Sequence, residues 1–78
     1  MVEKPLPQWI RQKIIERFNN KELALKAFEY VKIVEAENGN LYVKESLDNT
    51  EDHALLFAVL SVVNYTHRLL RGENMDEL

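Results

Sequence analysis

The chain has 78 residues, which is one domain at most, because chains divide into domains only at several times this length. Hydrophobic residues make up 46% and charged residues 29%, an ordinary globular balance that argues against intrinsic disorder. There is no cysteine, which excludes a disulfide scaffold, a thiolate metal site and a thiol nucleophile.

The formal charge of −3 is unevenly spread: residues 1–34 carry seven basic and four acidic groups, and residues 35–78 three basic and nine acidic ones. A basic half attracts acidic partners and an acidic half repels nucleic acid, although a mixed, solvated surface explains the same composition. The longest apolar stretch, Ala54 to Val63, is interrupted by Ser61 and falls far short of the roughly 20 residues that a membrane span needs. No apolar run opens the chain. The ending Met75-Asp76-Glu77-Leu78 is therefore read as a chance likeness to a retrieval tail. The expectation is a soluble cytoplasmic protein without membrane contact.

In chain order, residues 1–5 read as a flexible lead. Pro5 and Pro7 then restrict the backbone, and Pro7 suits a first helical turn, where its missing N–H costs nothing. From Gln8 to Phe18, the apolar residues Ile10, Ile14, Ile15 and Phe18 fall on one helical face. Asn20 is a good N-cap for a second helix from Lys21. That helix buries Leu23, Ala24, Ala27, Phe28 and Val31 and leaves Glu22, Lys26 and Glu29 wet, with Glu22 and Lys26 as a favourable i, i+4 pair.

Residues 30–46 admit two readings. A helical wheel continues through Val34 with Gly39 as its C′ residue. Alternatively, Asn38-Gly39 turns a β-hairpin that pairs Ala36 with Leu41, Val34 with Val43 and Lys32 with Glu45. The hairpin is preferred, because Leu41 to Ser46 reads as a strand and needs a partner for its backbone groups. Asn49 or Thr50 caps a long third helix that runs to about Arg71, with Glu51 and Asp52 placed well for its dipole. Gly72 is its C′ residue, and residues 73–78 form an acidic tail. The predicted fold is a single α+β domain over residues 1–78, mostly α, in the order α–α–β–β–α. The alternative is an all-α arrangement of three helices.

The third helix is unusually apolar. Ala54, Leu55, Leu56, Ala58, Val59, Val62, Val63, Tyr65, Leu69 and Leu70 span about 200° of its circumference, wider than the stripe a surface helix needs. The other side carries His53, Phe57, Leu60, Asn64, His67 and Arg71 at heptad spacing. The first arc can pack on the rest of the domain, which leaves little chain to cover Phe57 and Leu60. The expectation is a self-association seam with Asn64 setting the register. In an antiparallel pair centred near Val62, Phe57 opposes His67 and Leu60 opposes Asn64. The competing readings are a seam reserved for a different protein, or Phe57 and Leu60 folded under the hairpin or the N-terminal segment.

Nothing in the sequence assembles catalytic chemistry. His53 and His67 stand fourteen positions apart on one helix, about 21 Å at the helical rise. Thr66 and His67 point about 100° apart, so they form no nucleophile–base pair. Two glycines thirty-three positions apart cannot build a phosphate-cradling loop. The expectation is a protein that is not an enzyme and holds no cofactor or metal. Trp9 falls on the outward side of the first helix, near Lys13 and Arg17. It is a candidate anchor for a larger protein partner, or else it folds over the Pro5–Pro7 lead. Arg11, Lys13, Arg17 and Lys21 complete the candidate partner- or nucleic-acid-binding set. The preferred function is an accessory or adaptor subunit that homodimerises. The alternative is a small dimeric DNA-binding regulator of helix-turn-helix or winged-helix type, which the acidic pI of about 5.3 disfavours.

Overall fold

A computed structural model describes residues 2–48 and 51–72 of the chain. The elements are β1 (Val2–Pro5), α1 (Gln8–Ile15), α2 (Lys21–Phe28), β2 (Val31–Glu35), β3 (Leu41–Glu45) and α3 (His53–Leu70). The strands form one antiparallel sheet in the order β1-β2-β3. The fold is thus a small α+β domain, β-α-α-β-β-α, with a long C-terminal helix.

Local sequence explains the helix ends. The Asn20 side chain accepts a hydrogen bond from the Leu23 N–H at 3.1 Å and starts α2, satisfying a donor that the helix cannot satisfy itself. Pro7 occupies the N-cap position of α1 in an extended conformation, so the residue without an N–H sits where the helix needs none. Beyond α3, Gly72 has φ +82° and its N–H donates to the Leu69 carbonyl at 3.0 Å, as expected of a C′ glycine.

Three details correct the sequence reading. Residues 1–5 are not simply a flexible lead, because Val2–Pro5 pair with Glu35–Lys32. The unpaired side of β2 supplies the reason, since a central strand must satisfy backbone groups on both edges. Lys4 bridges to Glu35 at 3.0 Å and Lys44 to Glu3 at 3.2 Å, which ties β1 to both other strands. The start of α3 is capped by Asp52, whose carboxylate accepts from the Leu55 N–H at 3.1 Å. It is not capped at Asn49 or Thr50, which lie outside the described residues, as do Met1 and the acidic tail 73–78.

The hairpin register is also one residue away from the expected one. Ile33 faces Val43, Val34 faces Tyr42 and Lys32 faces Lys44. A two-residue type I′ turn would need positive φ at Asn38, whereas only Gly39 (φ +86°) and Gly72 have it among the described residues. The loop instead spans three residues, with the Gly39 N–H donating to the Ala36 carbonyl at 3.0 Å and the Ala36 N–H to the Asn40 carbonyl at 2.9 Å. A one-residue slip exchanges the faces of a strand. Val31 and Ile33 share one face of β2 and are both buried against the helices, and the observed register sets Val43, the half-buried residue of β3, beside Ile33 on that face. It sets Lys32 opposite Lys44, a like-charged pair, and Lys44 reaches across to Glu3 instead.

The core lies between the sheet and the helices. Leu6, Ile10 and Ile14 from the α1 segment, Ala24, Ala27 and Phe28 from α2, and Val31 and Ile33 from β2 meet Ala58, Val59, Val62 and Leu69 of α3. Phe18 and Tyr65 pack edge to face at 6.0 Å. Thr66 is fully buried, and its hydroxyl donates to the Val62 carbonyl at 2.7 Å, so no polar group is stranded there. Among the described residues no helix is long and apolar enough to cross a membrane.

Candidate interaction surface

The wheel of α3 places its two sides as follows. Ala58, Val59, Val62, Thr66 and Leu69 are buried against α2, α1 and the sheet. His53, Phe57, Leu60, Asn64, His67 and Arg71 are all exposed. Phe57 is 74% exposed and Leu60 51%, so neither is folded under the hairpin or the N-terminal segment. Ala54 and Leu56, assigned by the wheel to the inward arc, are exposed as well. Leu56, at 38% exposure, lies about 40° by helical geometry from Leu70, which lines a concavity with Ile33 and Leu41 of the sheet, so it widens the apolar face toward the sheet side of the seam.

Phe57 with Leu56 and Leu60 thus forms an exposed apolar cluster on one side of α3. The ends of α3 differ in charge. Glu51 and Asp52 precede it, and Arg68 and Arg71 end it. Two copies placed antiparallel bring the acidic start of each helix toward the basic end of the other and oppose their dipoles favourably.

The remaining candidates do not converge. Trp9 is half exposed and lines a concavity of about 410 Å³ with Pro5, Pro7, Ile33, Leu41 and Leu70. It therefore shares a surface with the prolines while keeping an open face. Arg11 lies about 160° around α1 from Lys13 by helical geometry. Its guanidinium carbon sits 5.9 Å from the Phe28 ring centroid, a cation–π distance. Its Nε is buried without a hydrogen-bond partner among the described residues. Lys13, Arg17 and Lys21 are exposed, but they belong to α1, the following turn and the start of α2. Lys13, Arg17 and Lys21 therefore form no single stripe with Arg11 that could track a phosphate backbone.

The two histidines stay at opposite ends of α3. Among the described residues no group of three His, Cys, Asp or Glu side chains could hold a metal. The sequence reading did not single out Leu41 and Tyr42, which are about half exposed on β3. Their significance depends on β1 taking the far side of β2, which leaves β3 at the edge of the sheet. The chain matches no protein-family model, no curated protein and no solved structure.

Proposed function

We propose that this chain is a non-catalytic protein-interaction module, an accessory subunit that self-associates through the outer face of α3 as an antiparallel pair. The observation that carries the reading is Phe57, 74% exposed on a heptad-spaced face with Leu60 and Leu56 beside it. Burying the exposed part of Phe57 alone contributes about 2 kcal/mol per protomer, a gain that a lone subunit forgoes. Asn64 opposite Leu60 of the second copy sets the register at a small cost in stability.

Cysteine cross-linking tests both the contact and its direction, because the chain has no cysteine of its own. A Leu60→Cys chain mixed with an Asn64→Cys chain should oxidise mainly to the mixed disulfide, since disulfides form only where Cα atoms come within about 7 Å. Preferential formation of the two like-with-like disulfides would mean a parallel pair. Monomeric products throughout would remove the self-association reading.

A further inference from the structure

The hydrogen-bond pattern of the hairpin fixes which backbone groups of β3 point away from the sheet. Ala36 bonds Asn40 and Tyr30 bonds Ser46, each at 2.9 Å. In an antiparallel pair hydrogen-bonded positions alternate. Tyr42 and Lys44 therefore bond β2, and Leu41, Val43 and Glu45 direct their N–H and C=O groups outward. No described residue bonds those outward groups through its backbone. The other edge is guarded, because the same alternation makes Pro5 of β1 face outward with no N–H to offer.

The open edge is complementary to itself. Two β3 strands related by a two-fold axis at Val43 oppose Val43 to Val43, Leu41 to Glu45 and Tyr42 to Lys44. All three outward-facing residues then pair, and no like charges stand directly opposite. Lys44 already leans away from the edge toward Glu3. α3 follows β3 through residues 46–52 and packs more on β3 than on any other strand. Its end residue Leu70 lines the same concavity as Leu41, the first residue of β3, so α3 runs back along β3. An axis through the middle of β3 therefore passes close to the middle of α3.

We propose that β3 pairs antiparallel with β3 of a second copy, giving one continuous six-stranded sheet laid over the α3 pair. This rests on the self-association proposed above and names its second contact. Leu56, on the sheet side of the α3 seam, connects the two contacts into one surface.

Tyr42 is 51% exposed, so charge changes there leave the subunit fold intact and read the pairing directly. In the full chain, Tyr42→Lys should weaken dimerisation about tenfold and Tyr42→Glu should tighten it by a similar factor, through repulsion or attraction with Lys44 of the second copy. Both effects should shrink with added salt. Amide hydrogen exchange should slow at Leu41, Val43 and Glu45 as protein concentration crosses the dimer midpoint. A dimer that is indifferent to both substitutions, with those three amides exchanging at the monomer's rate, would overturn the sheet pairing and leave the α3 contact standing. A wild-type chain that stays monomeric would overturn both.

Discussion

Truncating Phe57 to alanine separates association from folding. Phe57 is 74% exposed in the subunit, so the subunit loses almost no packing when the ring goes. Alanine is the best helix former and sits inside α3, which adds a few tenths of a kcal/mol to the monomer. The dimer loses the ring's burial twice. At about 1.5 kcal/mol per copy, allowing for the methyl that remains, the total is about 3 kcal/mol, or a dissociation constant raised by about two orders of magnitude. Size-exclusion chromatography with light scattering reads the mass, and circular dichroism of dilute samples reads subunit stability. The expected result is a monomer with an unchanged or slightly raised melting temperature at low concentration. The reasoning fails if Phe57→Ala dimerises like the parent chain. It fails equally if dilute Phe57→Ala melts well below the dilute parent, because Phe57 would then serve the subunit core.

Five further substitutions test the fold. Asn20→Ala and Asp52→Ala each remove a side-chain capping bond and should each lower stability by about 1 kcal/mol, additively within about 0.5 kcal/mol, in urea titration. Gly39→Ala meets no atom within 4 Å, so its cost is the left-handed backbone alone, about 1 kcal/mol, read as a lower urea midpoint at constant slope. Ile14→Ala empties a fully buried site and should cost about 2–5 kcal/mol, enough to leave the domain marginal in the same titration. Glu3→Gln breaks an ion pair whose side chains are about half exposed and should move the melting midpoint only slightly, by less than about 1 kcal/mol of stability.

What the sequence made legible was whatever local chemistry decides. The Asn20 cap, the Ile10–Ile14 stripe and the Gly72 terminus each depend on residues within one or two turns, and each is found where the spacing put it. The outer face of α3 was legible for the same reason, since a helical wheel needs no tertiary knowledge. β1 was not, because its partner lies some thirty residues away and its own composition, a single valine before a proline, carries no strand signal. The hairpin register was hidden because Asn38-Gly39 suits both a two-residue turn and a three-residue loop. The choice falls to the helix-facing side of the sheet, where Val43 of β3 stands beside Ile33 of β2, a contact that the turn does not know about. Asn49, Thr50 and Asp52 are all good caps by chemistry, and local composition does not say that Asp52 is the one that caps α3. Leu56 sat at the border of the inward arc, where the wheel alone cannot say how far α2 and the sheet reach around α3.

Sedimentation equilibrium of the unmodified chain addresses the central claim most directly. Loading concentrations from ~1 μM to ~1 mM cover the range in which a pair held by a few exposed apolar side chains dissociates. The predicted result is a weight-average mass that rises with concentration from the 9.2 kDa of one chain toward that of two, and levels there. A mass that holds at one chain across the whole range would contradict the account, because Phe57 and Leu60 would then remain in water with no second copy to cover them.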